Sequence, residues 1–188
     1  LPVEPRASGG AQGFRWSPRA SALGSFMFLD PPAFVLGAHL PWGRYGCDFG
    51  ANAWQPGGGL AVAPAEGLED TFANLEANGI GLVRWFLFCD GRAGIVFDTD
   101  GVPSGLDACV FADIDAALDL AARFGVRLVF SLFDFLWCAR AEQVDGVQTR
   151  GRRRTLARSG SRAALLDRVV APIAERYASD ATIAAWEI

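Results

Sequence analysis

The sequence lacks lysine, so all 17 of its basic residues are arginine, and it contains a single histidine. The absence of lysine is typical of a coding bias. Four cysteines are present, Cys47, Cys89, Cys109 and Cys138, but they form no CxxC pair and no zinc spacing, which excludes a zinc-finger type of site. Two interpretations stay open: free buried thiols, or a disulfide between Cys89 and Cys138 on adjacent strands.

Long hydrophobic runs and strong net charge are also absent. No apolar stretch reaches the roughly 18 to 20 residues that a membrane span requires. The formal charge of -4 argues against a general nucleic-acid-binding protein, because such domains are usually basic. No phosphate loop, dinucleotide fingerprint or metal cluster occurs, so we expect no cofactor. Secreted and cytoplasmic locations both remain possible.

What is present is typical of a folded domain. Hydrophobic residues make up 51% and charged residues 20% of the chain, which favours a globular protein with a sizeable core. Residues 1–30 are rich in Gly, Pro, Ser and Ala and predict a tail with a short extended piece around Phe26–Leu29. Because residue 1 is Leu, we expect a processed or trimmed amino terminus. Pro31 and Pro32 separate this tail from residues 31–188, where a regular pattern starts.

The pattern alternates strands and helices. Apolar runs predict strands over 33–39, 81–88, 126–133 and 182–188, and amphipathic segments predict helices over 68–79, 111–125 and 161–178. The helix stops are Gly79 and Gly125, and Pro172 should kink the third helix because proline lacks the amide hydrogen. Near-continuous apolar strands between helices indicate an α/β fold with a parallel sheet.

Loop lengths favour one architecture. The loops after the strands are long and the loops after the helices are tight, as in a (β/α)8 TIM barrel, whose active site is built from the loops that follow the strands. The chain holds about the first four strands of such a barrel, and a doubly wound sheet is the alternative. An isolated half-barrel would leave an open sheet edge, so we expect it to pair with the remainder of the barrel or with a second copy.

The segments "AFVLGAHLPWGRYGCDFG", "GIGLVRWFLFCDGRAGIVFD", "LDLAARFGVRLVFSLFDFLW" and "VVAPIAERYASDATIAAWEI" resemble, in order and spacing, the first half of a cellulase/mannanase-type glycoside hydrolase. The resemblance covers residues 33–188 and is to the family 5-like, retaining clan of (β/α)8 barrels. It implies cleavage of β-linked glycosidic bonds in a poly- or oligosaccharide.

The resemblance also implies where the catalytic groups lie. Retaining hydrolysis needs two carboxyl groups about 5 to 5.5 Å apart. In this clan the acid/base Glu follows an Asn on strand four, which would fall just beyond Ile188, and the nucleophile Glu lies on strand seven. Both are expected outside this chain, which should be inactive alone. For Glu187 we expect a structural role, bonded to polar groups of the barrel interior.

Arg84 is the candidate that supports catalysis. It stands in "LVRWF", where the clan carries an Arg that contacts the nucleophile carboxylate and keeps it ionised. A charged Arg inside an apolar strand also needs a carboxylate partner for purely structural reasons, so a buried ion pair is expected in either case.

The remaining candidates are expected to bind the carbohydrate substrate. They lie near the ends of the first three strands: His39, Trp42, Tyr45, Asp48, Trp54, Asp90, Asp134 and Trp137. Carboxylates can bond sugar hydroxyls, and flat aromatic rings can stack on sugar C–H faces. Asp134 has an equally good interpretation as a turn cap, and Trp137 as a packing residue. For the charge run "RGRRR" (150–154) a solvated loop is favoured over binding of an acidic polysaccharide.

Two alternatives to the hydrolase remain. A carbohydrate-binding or assembly protein on a degenerate barrel would lack the Asn-Glu pair after residue 188. Another (β/α)8 enzyme, such as a sugar isomerase, would need metal ligands at the strand ends, for which His39 and Asp134 are a thin set.

Overall fold

A computed structural model describes residues 34–188 of the chain. The predicted tail over residues 1–30 and the start of the first predicted strand lie outside the described residues. In chain order the elements are β1 (Gly37–His39), α1 (Leu68–Ala77), β2 (Leu82–Phe86), β3 (Ile95–Phe97), β4 (Pro103–Leu106), α2 (Val110–Arg123), β5 (Arg127–Ser131), β6 (Glu142–Val144), β7 (Val147–Thr149), α3 (Arg153–Ala157), α4 (Ser159–Leu165), α5 (Ala171–Arg176) and β8 (Ile183–Glu187).

The central sheet consists of the four predicted strands. Its order is β1-β2-β5-β8, and all three pairings are parallel. Each strand therefore lies next to the strand that precedes it in the α/β pattern. A doubly wound sheet would reverse its strand order at a switch point, whereas a (β/α)8 barrel adds its strands in sequence. The observed order is that of four consecutive barrel units.

The two faces of the sheet differ in burial. Val83 and Trp85 of β2 and Leu128 and Phe130 of β5 are completely buried. Their side chains form one face because strand side chains alternate, and Phe72 of α1 packs on Trp85 with ring centroids 5.9 Å apart. Truncating a fully buried aromatic such as Trp85 to alanine costs about 3 to 5 kcal/mol. The opposite face, which in a barrel is the interior, is only partly covered by the described residues.

The first two helices form where the sequence predicts them. Leu68 and Phe72 of α1 are buried, as are Ile114 and Ala121 of α2. Beyond each helix the chain turns at a glycine with positive φ, 69° at Gly79 and 62° at Gly125 for example. Positive φ is a conformation that glycine adopts without the Cβ penalty of other residues, so both predicted helix stops are confirmed.

The third predicted helix is interrupted. Between α4 and α5 the chain forms a π-helical turn over Leu166–Val170, directly before Pro172 in the first turn of α5. Proline lacks the amide hydrogen that the preceding turn needs, and π turns are a recognised way to absorb such a break. The chain thus departs from a regular α-helix in the turn before Pro172, where the sequence predicts a kink. The inward stripe Leu165, Val169, Ile173 and Tyr177 remains buried throughout.

Two hairpins lie in segments predicted as plain loops. β3 pairs with β4 in the segment after β2, and β6 pairs with β7 in the segment after β5. The hairpin β6–β7 turns at Asp145 and Gly146, both with positive φ. Both hairpins belong to segments that follow strands, so they enlarge the end of the sheet where a barrel carries its active site.

All four cysteines are free thiols. The disulfide considered between Cys89 and Cys138 is therefore absent, and the expectation of buried thiols holds only for Cys89, since Cys138 is exposed. Within residues 34–188, no helix combines the length and apolar composition that crossing a membrane requires.

Candidate functional site

The predicted site residues gather at the carboxyl ends of β1, β2 and β5 and in the segments that follow them. Arg84 of β2 lies in register with His39 of β1 on one side and Val129 of β5 on the other. All three belong to the less covered face of the sheet. A parallel sheet brings the carboxyl ends of its strands to one edge, and that edge is where (β/α)8 enzymes carry their chemistry.

Arg84 forms the ion pair predicted for it, and its partner in this chain is Glu187. The Nε of Arg84 donates to the Oε2 of Glu187, and its Nη2 donates to the Ser131 hydroxyl at 3.2 Å. The guanidinium also lies 4.5 Å from the centre of the Phe86 ring. The expectation of a buried pair is wrong, because the side chains are 33% and 45% exposed. The uncovered face of the half-barrel explains that exposure.

Glu187 therefore bonds a polar neighbour in the way predicted, although it is exposed rather than buried. The hydrogen bond from Arg84 is the main cause that lowers the pKa of Glu187, with smaller contributions from Ser131 and His39. Glu187 stays ionised and fixes one side of the Arg84 guanidinium. His39 is exposed and packs edge-on against Phe86, with ring centroids 5.8 Å apart.

The segment between β1 and α1 is the first loop, and its aromatic residues form a cluster around Arg92. Its guanidinium carbon lies 4.3 Å from the centre of the Tyr45 ring and 5.3 Å from that of Trp54. Asp90, completely buried, fixes the guanidinium from below through two hydrogen bonds of 2.9 and 2.8 Å. Trp42 packs edge-on against Tyr45 at 4.7 Å. We call Trp42, Tyr45, Trp54 and Arg92 the aromatic rim.

The rim presents flat, partly accessible surface. Trp42 and Trp54 are 37% and 39% exposed, so part of each residue is accessible to a ligand. Burial, with the nearby carboxylates of Asp90 and Asp134, raises the pKa of Tyr45 to about 12. Tyr45 therefore keeps its phenolic proton at any physiological pH. Arg92 was not among the predicted site residues, although "CDGRAG" places it two residues after Asp90.

Asp48 lies inside the first loop. Its carboxylate accepts hydrogen bonds from the amides of Gly43 and Arg44, at 2.6 and 2.7 Å, and from the Trp85 indole at 2.9 Å. Only 3% of the residue is exposed, and burial raises its pKa against the opposing effect of these bonds. The structure thus gives Asp48 a role in organising the loop and leaves little of its surface for a sugar.

Two further buried or half-buried carboxylates hold the first loop, and sequence reasoning missed both. Asp113 of α2 is fully buried, and its carboxylate accepts hydrogen bonds from the amides of Gly50, Gly59 and Ala61 at 2.8 to 3.0 Å. Asp107 accepts from the amides of Ala51, Gly94 and Cys109. A signal was available for Asp113, since it occupies the buried face of α2 next to Ile114, where an unpartnered carboxylate would be costly.

In the segment that follows β5, the third loop, Asp134 caps a helical turn and Trp137 packs in the core. The Asp134 carboxylate accepts from the Leu136 amide at the start of a 3-10 turn over Phe135–Cys138. Trp137 is 1% exposed and lies 4.2 Å from the Phe133 ring centre. Its burial leaves no ring face for stacking on a sugar.

The charge run "RGRRR" is only partly solvated. Arg150 pairs with Glu142 at 2.9 Å. Arg152 lies with its guanidinium carbon 3.8 Å from the Phe97 ring centre and donates to the Gly91 carbonyl at 3.3 Å. Arg153 and Arg154 are exposed. The expectation of a solvated loop is wrong for Arg152, because its side chain contacts Phe97 and Gly91 in the segment that follows β2.

Two other features complete the description. Among residues 34–188 no group of three or more His, Cys, Asp or Glu side chains is placed to hold a metal ion. A groove of about 420 Å³ runs beside α1 and α2, lined in part by Leu68, Leu120 and Arg123. It contains none of the predicted site residues.

Comparison with known proteins confirms the resemblance to mannanase-type glycoside hydrolases. No family model matches the chain. The chain is 24% identical over 155 residues to a mannan endo-1,4-beta-mannosidase of Mytilus edulis, a match that covers 82% of this chain and 38% of the relative. A mannan endo-1,4-beta-mannosidase of Cryptopygus antarcticus is 23% identical over 167 residues, covering 87% of this chain and 39% of the relative.

Solved structures agree on the fold. The β-mannanase of the blue mussel Mytilus edulis superposes with a TM-score of 0.66 at 23% identity, covering 82% of this chain and 40% of that structure. The endo-1,4-beta-mannanase of Eisenia fetida gives 0.65 at 22% identity, with 82% and 39% covered. The chain thus spans about two fifths of the length of the relatives it matches, and it has the fold of a partial (β/α)8 barrel, as the sequence predicts.

Proposed function

We propose that this chain supplies the first four β/α units of a retaining glycoside hydrolase that cleaves the β-1,4 bonds of a mannan-type polysaccharide. The observation that carries the proposal is the Arg84–Glu187 ion pair on the interior face of the sheet, at the edge where a barrel builds its active site. The similarity to mannanases of two animals supports the choice of substrate class.

In this proposal Arg84 is a positioning residue for a catalytic carboxylate. Glu187 and Ser131 bind the Nε and Nη2 of its guanidinium, which fixes the side chain in one orientation. A guanidinium held in this way keeps a carboxylate beside it ionised, because an adjacent positive charge stabilises the charged form. The nucleophile and the acid/base carboxylates of a retaining mechanism would come from the part of the barrel that this chain does not contain.

The aromatic rim would form a sugar subsite. Mannose rings present C–H faces that pack on indole and phenol rings, and Trp42 and Trp54 are both partly exposed beside Tyr45 and Arg92. Tyr45 keeps its proton and can donate to a sugar oxygen. His39, which is exposed beside Phe86, is the remaining predicted substrate contact at the site floor.

The test is a kinetic comparison in the full-length protein. Product release from β-1,4-mannan, from cellulose and from xylan is followed as new reducing ends. We expect activity on mannan, with kcat of the Arg84→Met variant reduced about 100-fold and KM nearly unchanged, since a charged hydrogen bond contributes about 3 kcal/mol. Arg123→Met is the matched control, because Arg123 is 57% exposed on α2, where it pairs with Glu69.

Two results would contradict the proposal. If Arg84→Met turned over mannan at the wild-type rate, the positioning role would be wrong. If the protein bound mannan through Trp42 and Trp54 without releasing any product, it would be a carbohydrate-binding protein rather than a hydrolase.

A further inference from the structure

Arginine is unevenly distributed along the chain. Residues 146–166 contain six arginines and no acidic residue, which leaves 11 basic against 21 acidic residues in the rest of the sequence. We call residues 146–166 the arginine segment. A coding bias explains why these residues are arginine rather than lysine, but it does not explain their concentration in one segment without acidic neighbours.

Within the described range 34–188, two of the six arginines form an ion pair or a contact with an aromatic ring. Arg150 pairs with Glu142, and Arg152 packs over Phe97. The other four are exposed and form no ion pair with any residue of the described range 34–188: Arg153, Arg154, Arg158 and Arg162. Four like charges within ten residues repel one another, so they are mildly destabilising to the fold itself.

The four arginines are held close together. They lie on α3, on α4 and at the junction between the two helices, which pack against each other. The Nη1 of Arg162 donates to the Leu156 carbonyl of α3 at 2.8 Å, which brings its charge to the end of α3 near Arg158. The amide of Arg158 bonds the Arg154 carbonyl at 3.0 Å.

The arginine segment also borders the aromatic rim. The Arg150 amide donates to the Asp90 carbonyl at 2.8 Å, and Arg152 donates to the carbonyl of Gly91. Asp90 is the residue that fixes Arg92 between Tyr45 and Trp54. The arginine segment is therefore joined to the residues that hold the rim through Arg150 and Arg152.

We propose that the arginine segment binds an anionic polysaccharide, a glycan with uronate carboxylates or sulfate groups, next to the sugar subsite of the rim. Arginine binds carboxylate and sulfate oxygens through two parallel N–H groups, which suits it to this ligand. The inference rests on the proposed function for the presence of a glycan at the rim.

A nucleic acid fits the charge distribution less well. A duplex carries a negative charge for every ~1.7 Å of its axis and needs an extended basic surface. The basic residues concentrate in this one short segment, whereas the rest of this chain carries 21 acidic and 11 basic residues. Binding to a duplex is therefore measured beside binding to anionic glycans.

The experiment measures the Kd of the full-length protein for polygalacturonate, for heparin and for a DNA duplex at physiological ionic strength. The test variant combines Arg153→Gln, Arg154→Gln and Arg158→Gln. The control variant removes the same charge elsewhere, with Gln at Arg123, Arg127 and Arg176, which are exposed and lie outside the segment. Thermal melting checks that both variants are folded.

We expect polygalacturonate or heparin to bind, and the test variant to bind about thirtyfold more weakly while the control changes little, since each exposed charge pair contributes modestly. Preference for one probe identifies carboxylate or sulfate as the recognised group. Unchanged binding in the test variant, an equal loss in the control, or tighter arginine-dependent binding to the duplex would each overturn the inference.

Hydrolysis of neutral mannan, measured on the same samples, separates the two proposals. The test variant should cleave neutral mannan at the wild-type rate. A protein that binds polyanions through the segment but releases no product would overturn the proposed function alone, and the reverse result would overturn the segment's role alone.

Discussion

Removing the carboxylate of Asp113 should loosen the first loop and destabilise the fold. Asp113 is completely buried in α2, and its two oxygens accept the amide hydrogens of Gly50, Gly59 and Ala61. These amides belong to the loop that carries the aromatic rim. In Asp113→Ala the amides of Gly50 and Gly59 would remain buried without an acceptor, and the amide of the exposed Ala61 would lose its partner.

The size of the effect follows from this count. A hydrogen bond to a charged group contributes about 1.5 to 3 kcal/mol, and a water entering the vacated space would replace part of the loss. We therefore expect Asp113→Ala to lower the free energy of unfolding by about 4 kcal/mol. Asp113→Asn keeps an oxygen for Gly50 and Gly59 but turns an NH2 group toward Ala61, and should cost about 2 kcal/mol.

Thermal melting and hydrogen exchange measure the outcome in the full-length protein. At about 2 °C per kcal/mol, Asp113→Ala should lower Tm by about 8 °C and Asp113→Asn by about 4 °C. Exchange of loop amides over residues 48–61 should accelerate. Asp119→Ala is the control, because Asp119 is exposed on the same helix. A Tm for Asp113→Ala within 2 °C of the wild type would mean that the Asp113 carboxylate does not stabilise the fold.

Three further predictions concern packing, pH and association. Gly59→Ala should cost about 1 to 3 kcal/mol or more by chemical denaturation, because a methyl group there would overlap the Asp48 carbonyl oxygen, while Gly81→Ala meets nothing within 4 Å and should be neutral. The lowered pKa of Glu187 means that the Arg84 pair stabilises the fold above the ordinary Glu range and is lost as the pH falls through the lowered value. A denaturation series below pH 5 should therefore show a smaller decline for Glu187→Gln than for the wild type, and parallel declines would contradict this. The isolated chain should dimerise or aggregate in analytical ultracentrifugation through the edges of β1 and β8, whereas a monomer with cooperative unfolding would refute that.

The sheet and its helices could be predicted because local signals coincide with the fold. The strands are continuous apolar runs, and Gly79 and Gly125 end the helices at positions where only glycine turns without strain. The hairpin β6–β7 was missed although its Asp145-Gly146 turn, flanked by Val144 and Val147, is a strong two-residue hairpin signal. Its strands have three residues each, too few to show alternation.

The site was less predictable because burial depends on contacts distant in sequence. Trp42 and Trp54 are partly exposed and remain candidates for sugar binding. Trp137 also lies in a loop after a strand, but it is buried in the core. The sequence does not distinguish Asp48 and Asp113 from ligand-binding carboxylates. The structure does, because it shows the loop amides that donate hydrogen bonds to them. Arg152 shows the same effect, since a run of arginines predicts solvent exposure and gives no sign of the Phe97 ring beneath one of them.

We propose that this half-barrel belongs to a retaining hydrolase of β-1,4-mannan. The most direct test follows the anomeric protons by NMR during the first minutes of mannan oligosaccharide cleavage by the full-length protein. We expect the β-anomer to appear first and the α-anomer later by mutarotation. Initial release of the α-anomer, or no cleavage at all, would contradict it.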